Sequence, residues 1–329
     1  MNEFIAQISP NVIGSVIGGI IVAILTLLFP YLRSSIRHWR FRRIFGSDVD
    51  GRGEFRIIYA KLSLPEVFDQ NGEKIDHPYI KQSRRSGSRS VDFSIENPVS
   101  GSEFRGASYI VSSFGSILKG QPDLTSDIDA DPQVNLSFVS LGGPFSNWKT
   151  NDAFNNTSNQ FLRMTTDDFV SAKSGNLVLD LDSSFDYGLI LRIRPEQFPE
   201  RVWIVCAGIG EWGTSGAAWF LSNKWKEILK ANRPWYDPRG LLKGADFAII
   251  VQVKPGQDES AKMVRHFKNF KEVELAAEEL SNKKPHAAGP TTTVTQPSSS
   301  PISSTSSRSE SWSGRYPGIS AAGPDEVED

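Results

Sequence analysis

The chain has little of what builds metal or redox chemistry. Its one cysteine, Cys206, allows no disulfide within the chain, which fits a reducing compartment. The four histidines, His38, His77, His266 and His286, are scattered without ligand spacing, so neither a metal nor a cofactor is expected. No G-x-S-x-G nucleophile elbow occurs. Charge of one sign is also scarce: 36 Lys and Arg against 38 Asp and Glu leave a formal net charge of −2. That balance implies no nucleic-acid partner. Asn135, Asn155 and Asn156 open N-x-S/T triplets that read as chance matches in a domain never exposed to glycosylation.

Charge is absent altogether from residues 12–32, a run rich in Val, Ile, Leu and Gly. About 20 apolar residues in a helix span a bilayer core. A cleaved signal peptide would begin with basic residues and end in a small-x-small site. Here residues 1–11 carry only Glu3, and arginines 33, 37, 40, 42 and 43 follow the run at once. The expectation is an uncleaved single-pass anchor in the cell inner membrane. Basic residues stay inside, so residues 1–11 face out and the rest is cytoplasmic. Segment 33–52 interleaves its arginines with Trp39 and Phe41, which suits the lipid headgroup layer. Within the anchor, Gly14 and Gly18 form a G-x-x-x-G pair, with Ser15 and Gly19 on the next row. Such a face lets helices approach closely, so a homo-oligomer is one reading.

Residues 281–329 are mostly Ser, Thr, Pro, Gly and Ala with an acidic end. They offer too little apolar surface to offset chain entropy, and the expectation is a disordered tail.

Between the ends, residues 53–280 read as one α/β domain. Apolar runs at 55–62, 134–141, 176–181, 187–193, 201–207 and 246–253 predict strands. Residues 176–193 predict a hairpin turning near Asp182. Helical spacing predicts helices over 104–118, 152–162 and 214–231. Near-continuous apolar strands alternating with helices argue a mostly parallel, Rossmann-like sheet covered on both faces. The polar stretch 69–105 reads as a long loop or a partly ordered insertion.

Two glycine loops follow strands and precede helices. The first carries Gly142, Gly143, Ser146 and Asn147; the second carries Gly208, Gly210, Gly213, Thr214 and Ser215. Glycine admits close backbone approach, and free amides at a helix start attract anions. If the two strands are neighbours, the loops share one crevice, and these residues are the candidate ligand site. Gly208, Gly210 and Gly213 fit G-x-G-x-x-G, but no acid stands at the tip of the next strand, which argues against a dinucleotide. Glycines kept only for packing are the competing reading. Asp186 and Glu211 are the carboxylates to follow; Cys206 reads as core.

Gly142-Gly143-Pro144-Phe145-Ser146-Asn147, paired downstream with Asp186-Tyr187-Gly188-Leu189-Ile190-Leu191-Arg192, Val205-Cys206-Ala207-Gly208 and Gly213-Thr214-Ser215-Gly216-Ala217-Ala218, resembles a group of prokaryotic α/β domains. These are similar to the Rossmann-like nucleotide sensors and effectors of bacterial conflict systems, often fused to membrane segments. The resemblance covers less than half of the chain. It implies a membrane-anchored domain that binds a small phosphorylated ligand, a nucleotide, in signalling or antiviral defence. The related phosphoribohydrolase-like pattern has a glutamate where this chain has Ala217, which favours binding over hydrolysis. An enzyme acting on a nucleotide's N-glycosidic or phosphate bond, and a membrane scaffold without ligand, remain the alternatives.

Overall fold

The computed structural model describes residues 10–50, 55–62, 67–68, 73–75, 81–86, 89–94, 98–118, 120–130, 135–232 and 245–283. The tail beyond residue 283 therefore lies outside the described residues, as does most of the insertion after residue 62.

Helix α1 (Pro10–Phe45) is a single run of 36 residues, roughly 54 Å long at 1.5 Å per residue. It is long and apolar enough to cross a membrane, and the apolar part of its span is not buried in the protein. Ile17, Leu25 and Phe29 stand exposed, which excludes a core helix. Its last turns behave differently. Phe41, Ile44 and Phe45 are buried within the domain, so the core begins well before residue 53.

The domain is built on a seven-stranded sheet. Its strands are β1 (Phe55–Tyr59), β2 (Asp123–Ser126), β3 (Ser137–Leu141), β4 (Asp186–Ile193), β5 (Trp203–Gly208), β6 (Phe247–Lys254) and β7 (Gln257–Phe267). The spatial order is β7-β6-β4-β5-β3-β1-β2. Strands β2, β1, β3 and β5 run parallel, and β4, β6 and β7 add antiparallel pairings. The sheet is thus mixed rather than uniformly parallel. Residues 176–181 do not form the expected hairpin: they contribute one bridge, Val170 to Leu177. Both flanks of β4 are already taken, by β5 and β6.

Helices cover both faces. One layer holds α1's end, α2 (Gly101–Leu118), α5 (Glu211–Asn223) and α6 (Trp225–Ala231), on a core that includes Ile57, Val139, Ile204 and Ile249. The other holds α3 (Asp127–Ala130), α4 (Trp148–Asn155) and α7 (Phe270–Lys283), on Phe138, Leu189, Val205 and Ile250. Ser281 to Lys283, read from sequence as tail, close α7. The predicted helix over 214–231 is two helices, broken at Lys224, and the one over 152–162 ends earlier, at Asn155. Within and just before 69–105 the described residues form short antiparallel pairs, Val67–Phe68 with Lys74–Ile75 and Lys81–Ser86 with Arg89–Ser94, and its last five residues open α2.

The connection leaving β1 crosses one face through α2, and that leaving β3 enters the other through α4. The chain therefore reverses direction between β1 and β3. In open α/β sheets such a reversal opens a crevice at the carboxyl ends of the strands.

Candidate functional site

At that reversal, two buried carboxylates hold consecutive amides beyond β1. Glu103 Oε2, in the first turn of α2, accepts from Ala60 N at 2.7 Å. Asp127 Oδ1, directly after β2, accepts from Lys61 N at 2.9 Å, and its Oδ2 accepts from Trp148 N at 3.0 Å. Asn147 completes the bracing. Its Nδ2 donates to Leu141 O at 2.8 Å, while its Oδ1 caps α4 by accepting from Lys149 N and Thr150 N. The crevice floor is therefore braced by Glu103, Asp127 and Asn147, of which sequence reasoning named only Asn147.

Gly142 turns the chain off β3 with φ +98°, a conformation glycine adopts freely. A Cβ there would also sit 2.5 Å from Glu103 Oε1. Burial pushes the Glu103 carboxyl up to about 7; the Ala60 amide opposes this and nearby Asp127 adds to it. No hydrogen bond to Oε1 forms among the described residues. This atom faces Gly142. The raised value makes the fold pH-sensitive. The folded chain holds the Glu103 proton up to about pH 7, whereas an unfolded glutamate loses it near 4.5. The contribution is fully present below 4.5 and fades as pH rises through 7, by about 3 kcal/mol. Glu103→Gln should abolish that slope in urea titrations run between these pH values. An unchanged slope would assign the titration elsewhere.

The two glycine loops are neighbours, because β3 pairs with β5 and Gly142 N donates to Cys206 O at 3.0 Å. Their residues nevertheless do different work. Gly143, Ser146 and Asn147 stay with the β1/β3 reversal; Ser146 Oγ donates to Gly143 O at 3.2 Å. In the second loop, Asp186 occupies the helix start from the head of β4. Its Oδ1 accepts from Gly210 N at 2.9 Å and its Oδ2 from Gly213 N at 2.7 Å. Asp186 thus caps α5 in place of a side chain of the loop itself. Amides read from sequence as free for an anion are engaged. Gly208 and Gly213 sit where any Cβ would collide with backbone, at Thr214 N and Tyr187 O respectively. Thr214 is buried. Ser215 Oγ donates to Asp258 Oδ1 at 2.5 Å and accepts from Arg105 at 3.3 Å, in a network that Tyr109 joins through Asp258. Glu211 opens α5 as an exposed carboxylate 3.7 Å from Arg105. Cys206 is fully buried in the core and burial raises its thiol far above the ordinary range.

Four large apolar side chains stand exposed on the segments framing the crevice. Phe104 adjoins Glu103 in sequence and Ile128 adjoins Asp127, while Phe145 and Trp148 flank Asn147; Phe145 is 76 % exposed. Exposed apolar side chains on segments that also carry buried polar ones are a common feature of binding sites. Among the described residues no cluster of His, Cys, Asp or Glu is arranged to hold a metal ion. No protein-family model matches the chain, and neither a curated protein nor a solved structure matches it.

Proposed function

We propose that the chain is a single-pass membrane protein whose cytoplasmic α/β domain binds a nucleotide-type ligand in the crevice between β1 and β3. The observation that supports this reading is buried Glu103, its Oε1 beside Gly142 at the sheet's reversal, with exposed Phe104, Phe145 and Trp148 on the adjoining segments. Carboxyl oxygens accept from ribose or base donors, and exposed rings stack bases. The parallel half-sheet β2-β1-β3-β5 supports a Rossmann-like reading of the domain. The engaged amides at Gly210 and Gly213 shift the centre of the site toward Gly142, Gly143, Ser146 and Asn147, with the phosphates nearer solvent. Arginines after residue 32 support an inner-membrane anchor with its N-terminus outside. Gly18 has open space at its Cβ position, so that helix face is free for a second copy. The resemblance to conflict-system domains supports a signalling or defence role.

A titrating carboxylic acid beside a second carboxylate also suits acid–base catalysis, which keeps hydrolysis of an N-glycosidic or phosphate bond as the second reading. Calorimetric titration of the detergent-solubilised full chain with a nucleotide panel, followed by product analysis, separates the two. Phe145→Ala is expected to weaken binding by about 1–3 kcal/mol, the scale of one base stack, without altering the melting temperature, because Phe145 touches solvent. Parent-like affinity in a folded Phe145→Ala, Trp148→Ala double variant would remove the crevice as the site.

A further inference from the structure

A second location carries different chemistry. Between α1 and the corner where α5 meets α6 lies a cleft of about 620 Å³. One wall is a stripe of α1 at helical spacing, Phe29, Leu32 and Ile36 alternating with Arg33, Arg37 and Arg40. The other wall is Trp225 and Lys226 at the head of α6. Trp225 is fixed, buried against Phe41 with ring centroids 5.6 Å apart. No acidic side chain lines the cleft.

Of the arginines after the apolar run, Arg43 lies over the Trp39 ring. Arg42 pairs with Asp50 at the domain seam. Arg33, Arg37, Arg40 and Lys226 form no ion pair among the described residues. Their cations converge on a cleft whose apolar residues continue into the membrane-length part of α1. A site that is apolar toward the span and cationic toward the domain matches one amphiphile.

We infer that this cleft binds an anionic phospholipid of the membrane in which α1 sits. An acyl chain lies along Phe29, Leu32 and Ile36, and the phosphate sits among Arg33, Arg37, Arg40 and Lys226. The inference rests on α1 spanning a membrane and is independent of the ligand crevice. Lys226 belongs to the folded domain, so the bound lipid bridges anchor and domain and fixes the angle at which the helix leaves the bilayer.

The test uses the full chain reconstituted in nanodiscs of phosphatidylcholine with a minor share of phosphatidylglycerol. Native mass spectrometry after release reads the retained lipid. The parent should retain phosphatidylglycerol in preference to phosphatidylcholine. Lys226→Gln, an exposed change outside the anchor, should reduce that preference about fivefold, the scale of one cation near an anionic surface. The Arg33→Gln, Arg37→Gln, Arg40→Gln triple variant should abolish it. Equal retention of both lipids by the parent, or an unchanged preference in Lys226→Gln, overturns the site while leaving the anchor intact. Extraction of the parent from membranes by alkaline carbonate overturns the anchor and the site together.

Discussion

A chain that begins at Gly53 is expected to lack a cooperative fold, whereas one that begins at Arg33 should keep it. Both lack the apolar span, so solubility does not separate them. What separates them is the end of α1. Phe41 stacks on Phe45 at 4.3 Å and meets Phe114 edge-on at 5.1 Å; Phe45 meets Phe114 at 5.2 Å and Phe55 at 6.1 Å. Phe41, Ile44 and Phe45 are each no more than 2 % exposed. At about 1.5–3 kcal/mol per buried side chain, their loss removes roughly 5–9 kcal/mol, against a total stability of about 5–15 kcal/mol for a typical domain. The same cut strands a charge. Arg192 is fully buried in β4, and its Nε donates to Ile44 O at 2.7 Å while Nη1 donates to Ala245 O and Asp246 Oδ1, both at 3.0 Å. Burial lowers its value to about 10, against the pull of Asp246, so the guanidinium remains charged and needs its acceptors. Near-ultraviolet circular dichroism and urea titration of the two truncations provide the measurement. A sharp transition at a similar midpoint in both would show that the seam contributes little.

Gly213→Ala should be nearly as damaging, for a reason confined to one methyl group. The Cβ would be driven into the carbonyl of Tyr187, and Gly188 faces Gly213 O in the same way from the sheet side. Both neighbours are backbone, in α5 and β4, so no rotamer change relieves the clash and the helix must lift from the strand. A cost above about 3 kcal/mol is expected, or a fall in melting temperature of more than roughly 8 °C for a domain of this size. Gly115 supplies the control. It lies in α2 with nothing within 4 Å of its Cβ position, so Gly115→Ala should raise stability by about 0.5–1 kcal/mol through helix propensity. Gly210→Ala falls between, since its Cβ would meet only the movable Asp186 carboxylate at 2.6 Å. Equal melting temperatures for Gly213→Ala and Gly115→Ala would remove close packing as the reason for the second glycine loop.

The central strands were legible in the sequence because they are buried on both faces. β3 and β5 are buried at every residue, so neither carries a charge, and β5 reads as an uninterrupted apolar run. The two edge strands were not legible, for the complementary reason. β2 is Asp-Leu-Thr-Ser with its first two residues exposed, and β7 carries Glu259, Lys262 and Arg265 at exposed or half-buried positions. Charge on a sheet edge discourages pairing with other chains and also erases the hydrophobic signal. Residues 176–181 failed in the opposite way: Asn-Leu-Val-Leu-Asp-Leu alternates like a strand, but competition for β4 is a tertiary matter that no local pattern records. The candidate site divides along the same line. Gly142 announces itself by turn chemistry, whereas Asn147, read from sequence as a ligand group, caps α4. Glu103 and Asp127 look like ordinary acids in the first turn of a helix, a place where acids are common on electrostatic grounds alone; only the return of α2 and α3 to the end of β1 buries them.

The rigid passage of α1 into the core also decides how the domain meets its surroundings. The last turn of the helix is itself core, packed on the first residue of β1. With α1 across a bilayer, as proposed, a roll or tilt of its last turns is reproduced by the whole domain. The helix enters at the amino ends of the strands, and the crevice opens at the carboxyl ends, one strand length or about 17–20 Å away. The crevice consequently keeps a fixed standoff from the point of entry. Two copies joined along their spans would hold their crevices at one set azimuth, like two gauges mounted on a common shaft.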